Sequence, residues 1–180
     1  MVARCSETID AHLRQDSMGG HPVPITMNDL TISLQGIDTS TLLSEWEWAM
    51  SEPMTPILLT ALGDVFTQGD SKAVYFLDTN QGTIVIVAEN GDQFQNMLRD
   101  PRFVTEKMLP ARILQLRKAG IELGPSEVYS HSHPLVLGGE DTNENVAPTN
   151  IAVHLSLYGQ IHRQIKDLPE GTEITDIQIE

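Results

Sequence analysis

The hydrophobic residues between positions 54 and 88 fall into short runs separated by turn-forming residues, a pattern typical of β-strands. Apolar runs at 57–62, 65–67, 72–78 and 83–88 predict four strands. The run at 72–78 is apolar almost throughout, which indicates a strand that is buried on both faces. A short Asn-Gln-Gly turn joins the last two runs, so these strands are predicted to pair as an antiparallel hairpin.

The stretch that precedes these strands has a helical period. Asp38 or Ser40 can act as the N-cap of a helix, and Pro53 stops it. One face of this helix would carry the apolar residues Leu42, Leu43, Trp46, Ala49 and Met50. Trp46 and Trp48 cannot share a face at their spacing, so we expect one tryptophan in the core and the other partly exposed.

Two more helical pieces are predicted between residues 92 and 119. The first has Asp92 as its N-cap and is ended by Pro101. The second spans 105–119, and Pro110 divides it. This part of the chain also holds most of the basic residues, which are predicted to form a solvated face: Arg99, Arg102, Lys107, Arg112, Arg117 and Lys118.

Residues 150–168 fit two patterns. Their apolar residues alternate at first, as in a strand, but they also recur at helical spacing over four turns. A helix is the preferred interpretation, because the second pattern lasts longer and Asn150 is a good N-cap. A strand is also predicted at 127–129, and residues 172–179 are predicted to form a terminal strand or tail.

This order of elements predicts an α+β fold. We expect an antiparallel β-sheet with a central hairpin, packed against several helices that lie on one face. The chain has 180 residues, which suits one domain with a substantial core, and we place this domain at 27–180. Residues 1–26 show little periodicity and are predicted to be a flexible leader.

Charge and cysteine content narrow the function classes. The formal net charge is −14, so direct binding to nucleic acid or to an anionic membrane is not expected, whereas a basic protein partner would be attracted. The acidity also suits a protein that only needs to stay dissolved. The single cysteine, Cys5, allows no internal disulfide, and no apolar stretch has the length of a signal peptide or membrane span. We therefore expect a cytoplasmic protein.

Residues 129–145 concentrate reactive side chains beside a pair of glycines. On a strand, His131 and His133 would point to the same side, and a divalent metal could bind there with a carboxylate from Glu140, Asp141 or Glu144. The histidines fit equally well on the solvent face of an edge strand. The three acids fit a paired-carboxylate site or a negative rim that docks a basic partner, and we favour the rim.

Other candidate chemistry has weaker support, and no catalytic residue or cofactor is predicted. Ser130 and Ser132 flank the histidines, but adjacency in sequence is not the geometry of a catalytic triad. Gly138 and Gly139 are predicted to form a tight turn that needs a positive φ. His154 and His162 would lie about 12 Å apart along a helix, too far to share one metal ion, and are expected at the rim of the core or in solvent.

Four motifs together resemble a known bacterial family. They are Leu62-Gly-Asp-Val-Phe66 before the hairpin, Leu137-Gly-Gly-Glu140 with Glu144-Asn145 downstream, His154-Leu-Ser-Leu-Tyr-Gly-Gln-Ile161, and Gln164-Ile-Lys-Asp-Leu-Pro-Glu-Gly171. Over about residues 40–180 the chain resembles a family first catalogued as a domain of unknown function. That family is associated with the C-terminal domain of type VI secretion immunity proteins, which neutralise DNase toxins. The resemblance implies a non-enzymatic α+β domain that acts by binding; members often carry an additional N-terminal domain.

Three functions follow as hypotheses. The leading one is an immunity-type protein that binds a cognate basic toxin, with Glu140, Asp141 and Glu144 at the contact. The second is a small metal-assisted hydrolase that uses His131 and His133. The third is a structural domain that associates with itself as a homo-oligomer.

Overall fold

A computed structural model describes residues 25–169, 171–172, 174 and 176–179 of the chain. Its main sheet has five antiparallel strands in sequence order: β1 (Thr31–Ile32), β2 (Met54–Thr60), β3 (Val65–Gly69), β4 (Val74–Asp78) and β5 (Thr83–Ala88). A second sheet has two antiparallel strands, β6 (Glu127–His131) and β7 (Val146–Asn150). The predicted leader and Cys5 lie outside the described residues, apart from Ile25 and Thr26.

Five α-helices accompany the sheets: α1 (Met27–Leu30), α2 (Gly91–Met97), α3 (Pro101–Met108), α4 (Pro110–Lys118) and α5 (Ile151–Ile165). Two short 3-10 helices span Ser44–Ala49 and Leu135–Leu137. Within the described part of the chain, no helix has both the length and the apolar composition needed to cross a membrane. The α+β class predicted from the sequence is confirmed.

The predicted hairpin forms, but it is not central. β4 and β5 pair in antiparallel register, with Phe76 opposite Val85 and Leu77 opposite Ile84. The strand order places β3 in the middle of the sheet and β5 at one edge. As predicted, β4 is buried along nearly its whole length.

Helices cover both faces of the sheet, which corrects the expectation that they lie on one. Successive side chains of a strand point to opposite faces, and each face has its own apolar partners. Phe66 and Phe76 pack with Phe94 and Phe103 of helices α2 and α3. The neighbouring strand residues, among them Leu77, pack on the other side against α5 and the first 3-10 helix. A sheet covered in this way explains why its inner strands lack polar alternation.

The helix predicted after Asp38 is only partly correct. Asp38 accepts hydrogen bonds from the backbone and hydroxyl of Ser40, which closes a turn and does not cap an α-helix. The helix that follows is the 3-10 helix Ser44–Ala49, so the predicted type is wrong. Trp46 is fully buried and Trp48 is partly exposed, as predicted, although the two rings stack with centroids 6.1 Å apart.

The helical region after β5 agrees with prediction except at its boundaries and charges. Asn90, not Asp92, is the N-cap of α2, and Asp100 caps α3, which begins earlier than predicted. Leu109 separates α3 from α4 at the predicted Pro110 break. The basic face is not wholly solvated, because Arg112 and Arg117 form ion pairs with Asp141 and Asp29.

In the C-terminal half, the predicted helix α5 is confirmed, whereas strand β7 is absent from the prediction. α5 is a helix over Ile151–Ile165, and the Asn150 side chain accepts from the backbone of Ala152, as expected of an N-cap. The sequence does not predict β7, because this strand is short and carries Pro148. Among the described residues of 171–179 there is no strand.

The first 3-10 helix packs closely on α5, and a hydrogen bond and a glycine define this contact. Trp46 Nε1 donates to the carbonyl of Leu155 over 2.9 Å. At Gly159, an added Cβ would lie 2.6 Å from Glu45 Cβ and 2.7 Å from the Glu45 carbonyl oxygen. The two elements therefore touch backbone to backbone, and only glycine leaves room for this contact.

We predict that Gly159→Ala lowers the free energy of unfolding by about 1–3 kcal/mol, because the new methyl group must displace the Glu45 backbone. The sign of the change in unfolding free energy is diagnostic, because the same substitution inside an unobstructed helix stabilises a protein by about 1 kcal/mol. Gly91→Ala in α2 is the matched control, because the nearest atom to its added Cβ is 3.7 Å away. Urea denaturation of the three proteins measures the difference; a stabilised Gly159→Ala would contradict the packing described.

Candidate functional site

The loop from Ser132 to Asn145, here called the acidic loop, connects β6 to β7 and carries the three predicted acids. Asn145 holds the loop closed with its side chain. Its oxygen accepts from the backbone of His133, and its nitrogen donates to the carbonyls of His133 and Glu140, each over 2.8 Å. One amide thus joins both ends of the loop and replaces hydrogen bonds that a regular strand would supply.

Two glycines let the loop turn. Gly138 has a φ of 90°, as predicted for a tight turn. Gly139 is required for space, because an added Cβ would lie 2.0 Å from the carbonyl oxygen of His133. The predicted turn is therefore present, although only its first glycine needs the left-handed conformation.

Arg112 of α4 fixes the tip of the loop. Its guanidinium donates to Asp141 Oδ1 at 2.9 Å and to Asn143 Oδ1 at 2.7 Å, and it also reaches the carbonyl of Thr142. The arginine side chain is largely buried by these contacts. Planar, multidentate recognition of this kind is typical of arginine and gives the tip one defined position.

The three acids do not have the same role. Asp141 is exposed, but its Oδ1 is also 3.3 Å from Nε2 of His131, so this carboxylate links α4, β6 and the loop. Glu140 and Glu144 are exposed, and their side chains make no hydrogen bond or ion pair with any described residue. Two free carboxylates therefore flank one carboxylate that holds the loop in place.

The alternative metal site does not assemble around the two histidines. His131 ends β6 and faces Asp141, whereas His133 lies beyond the strand, where its backbone is bound by Asn145. Across the part of the chain that the structure describes, no group of three or more His, Cys, Asp or Glu side chains is placed to hold a metal ion. The His-x-His spacing therefore does not produce a shared face here.

Beneath the loop lies a buried chain of polar side chains that sequence reasoning missed. Ser130 Oγ is 2.8 Å from His154 Nδ1, and His154 Nε2 is 3.1 Å from Thr79 Oγ1. Thr79 in turn donates from its backbone and its hydroxyl to Asp64 Oδ1. This series of hydrogen-bonded side chains connects β6, α5 and the ends of β3 and β4.

The order of these groups is that of a serine–histidine–acid relay, with Thr79 inserted before the acid. Ser130 is 3% exposed and His154 is 1% exposed, so no open path leads a substrate to the serine. Thr79 donates to Asp64, and the two ring nitrogens of His154 are paired with the hydroxyls of Thr79 and Ser130. All these groups are paired, as buried polar groups generally are, and they connect the elements around them.

The expectation that His154 and His162 lie at the core rim or in solvent is wrong. Both are buried, and His162 Nε2 donates to the Thr79 carbonyl at 2.9 Å. With Tyr158 between them, they form one face of α5 at helical spacing, and the His154 and Tyr158 rings lie 4.4 Å apart. In the sequence, this helical spacing, shared with the apolar residues of α5, is the feature that would have predicted the burial of both histidines.

Burial shifts the pKa values of Asp64 and His154 in opposite directions. Desolvation, reinforced by the nearby charge of Asp78, raises the pKa of Asp64 from 3.8 to about 7. Desolvation, with a smaller contribution from His131, lowers the pKa of His154 from 6.5 to about 3. Between about pH 4 and pH 6.5 the folded pair is neutral, whereas the unfolded pair is charged. The two groups therefore hold one proton in both states, and their pH dependences cancel.

We predict that Asp64→Asn and His154→Gln change the pH dependence of the unfolding free energy in opposite directions. The Asp64 contribution to stability is complete below its unfolded pKa and is lost as the pH rises to about 7, by up to about 4 kcal/mol. Asp64→Asn should therefore gain stability relative to wild type over that range. The His154 contribution is complete above pH 6.5 and is lost as the pH falls, so His154→Gln should lose relative stability as the pH rises. Denaturation followed by tryptophan fluorescence checks both, and equal slopes in all three proteins would contradict the assignment.

We also predict that Asn145→Ala loosens the acidic loop without unfolding the domain. Its three hydrogen bonds would be lost, at a cost of about 1–3 kcal/mol. Amide exchange should accelerate between residues 138 and 145 and remain slow in α5. Glu144→Ala is the control, because the Glu144 side chain makes no hydrogen bond or ion pair with any described residue. Unchanged exchange in Asn145→Ala would show that the amide does not hold the loop.

Known proteins are similar to this chain to different extents. No protein of curated function matches the sequence. A solved structure with a similar arrangement is described as the crystal structure of Atu4351 from Agrobacterium tumefaciens, at 13% sequence identity and a TM-score of 0.47. The alignment covers 68% of this chain and 64% of that one, so this chain spans less than two thirds of that protein's length.

A family model described as "T6SS immunity protein Tdi1, C-terminal" matches residues 88–162. This range contains helices α2 to α5, both strands of the second sheet and the whole acidic loop. The match confirms the resemblance carried by the Leu-Gly-Gly-Glu and His154–Ile161 motifs, whereas the Leu62–Phe66 and Gln164–Gly171 motifs lie outside it. Residues 88–162 are therefore similar to the C-terminal region of the type VI secretion immunity protein Tdi1.

Proposed function

We propose that this chain is a non-enzymatic immunity protein of the cytoplasm that binds and neutralises a basic nuclease toxin, with the acidic loop at the contact. The supporting observation is the pair of free, exposed carboxylates, Glu140 and Glu144, on a loop held by Asn145 and Arg112. The family match supports binding to a toxin in general, since immunity proteins protect cells by this means. The proposed complex needs no cofactor.

The acidity of the chain favours a nuclease as the partner. A protein that cleaves nucleic acid needs a basic surface to hold phosphates, and the acidic loop offers carboxylates to such a surface. The net charge of −14 would accelerate the encounter over a distance of about one Debye length, roughly 8–10 Å at physiological salt. Association should therefore be fast at low salt and slower at high salt.

The rigidity of the loop favours affinity. A backbone that is already ordered loses less entropy on binding, so a loop held at both ends and at its tip starts close to its bound form. Glu140 and Glu144 supply the charge that meets the toxin. In this proposal Asp141 has a different task, because its carboxylate is already paired with Arg112 and His131.

We predict that the double variant Glu140→Lys/Glu144→Lys slows association with the toxin at least tenfold at low salt. Charge reversal replaces attraction to the basic surface by repulsion, and the effect should shrink as salt is added. Stopped-flow or surface-based kinetics with a catalytically inactive toxin measure the association and dissociation rates separately. The salt slope of the association rate should fall with the number of charges reversed.

The control is Asp70→Lys, which reverses one carboxylate at a site remote from the loop and changes the net charge by half as much as the double variant. Asp70 is exposed and lies in the turn between β3 and β4, whereas the β6 contact to Ala61 is at the other end of β3. This variant should keep nearly wild-type association at physiological salt. Equal losses in the control and in the loop variant would show that net charge, and not the acidic loop, governs binding.

A further inference from the structure

The turn between α3 and α4 carries an apolar depression that opens to solvent beside the acidic loop. Its volume is about 290 Å³, and most of its surface is apolar. Six residues line it and are here called the α3–α4 corner: Thr105, Leu109, Pro110, Ala111, Arg112 and Gln115. Leu109 is 47% exposed, whereas its chain neighbours Met108 and Pro110 are both buried. The corner therefore presents one large aliphatic side chain to solvent.

The backbone of Leu109 has a conformation that leucine rarely adopts. Its φ is 45° and its ψ is 57°, which is the left-handed region, where Cβ crowds the following carbonyl oxygen. Glycine and asparagine tolerate this region far better. Pro110 adds a second restriction, because a proline limits the conformations of the residue before it. Folding alone would favour a different residue here, so the exposed leucine points to a role in binding.

Arg112 joins the α3–α4 corner to the acidic loop. This residue lines the depression, and its guanidinium donates to Asp141 and Asn143 at the tip of the loop. The ion pair neutralises the arginine charge, yet the side chain of Asp141 is still 62% exposed. The corner and the acidic loop thus form one continuous surface, with an apolar part and an acidic part that share Arg112.

We infer that the α3–α4 corner binds an apolar side chain of the basic toxin, at a point where that side chain lies next to the toxin's basic residues. The inference rests on the proposed function and adds an apolar anchor to a contact made by charges. Protein interfaces commonly combine a desolvated apolar centre with charged residues around it. In such an interface the apolar anchor slows dissociation, whereas the charges mainly speed association.

The charges around the corner determine how the partner lies on it. On the loop side, the exposed carboxylates of Glu140, Asp141 and Glu144 attract basic residues. On the helix side, Arg102 is exposed and lies on the same face of α3 as Leu109, seven residues earlier and about 10 Å away along the axis. Its positive charge repels basic residues. The toxin segment that fits therefore carries an aliphatic or aromatic residue, with its lysines or arginines directed toward the loop.

Leu109→Asn tests the inference, because it removes the apolar side chain and suits the left-handed backbone. Dissociation from the catalytically inactive toxin encoded beside the gene should become at least tenfold faster, with the association rate changed less than twofold. The urea midpoint of this variant should equal or exceed that of wild type, which separates a loss of binding from a loss of folding. Gln115→Trp fills the depression from its rim and should accelerate dissociation in the same way.

Two controls separate this contact from general effects of charge and surface. Val153→Asn removes an apolar side chain that is 57% exposed on α5, and it should keep the wild-type dissociation rate. At high salt the effect of Leu109→Asn should persist, whereas the effect of charge reversal in the acidic loop should shrink.

The same kinetics distinguish failure of this inference from failure of the proposed function. A wild-type complex from which Leu109→Asn dissociates at the wild-type rate would overturn the inference and leave the proposed function standing. Equal acceleration by Leu109→Asn and Val153→Asn would also overturn it. The absence of any complex between the wild-type chain and the toxin would overturn both.

Discussion

The burial of His154 is the constraint on which the rest of this structure depends. Both ring nitrogens lie in the core and must find partners, because an unpaired polar atom there costs about 1–3 kcal/mol. One partner is Ser130 on β6 and the other is Thr79, just after β4. The ring also lies so close to Gly63 that an added Cβ would be 2.3 Å from Nε2. One side chain thus sets the position of α5 against both sheets.

The location of the exposed acids follows from that arrangement. β6 continues into the acidic loop one residue after His131, so the histidine network under the loop determines where the loop begins. Arg112 then fixes the tip from the opposite side, through α4. The unpaired carboxylates of Glu140 and Glu144, which we propose for recognition, remain outside this framework, while the paired carboxylates of Asp64 and Asp141 maintain it. Under the proposed function, structural and recognition roles are therefore divided among different carboxylates.

Sequence patterns predicted the elements better than their arrangement. The strands β2 to β5 and helix α5 follow from local periodicity, which is strong in a run such as 83–88 or over the four turns of α5. The edge position of the hairpin and the helices on both faces depend on contacts between distant segments, such as Trp46 with Leu155, which no local pattern records. The 3-10 helix around Trp46 is a tertiary effect of the same kind, since its geometry follows its contact with Gly159. In the site, the acids were identified from the sequence, but the pairing of Asp141 was not, because its arginine partner lies 29 residues away.

The central claim is that this chain protects a cell by binding a nuclease toxin, and growth measures it most directly. The toxin encoded beside the gene would be expressed in a bacterium with and without this chain, with the level of the folded chain verified in the same cells. The account predicts restored growth, intact chromosomal DNA and a stable complex of the two proteins on a sizing column. Continued DNA degradation without a complex, at equal levels of folded protein, would contradict it.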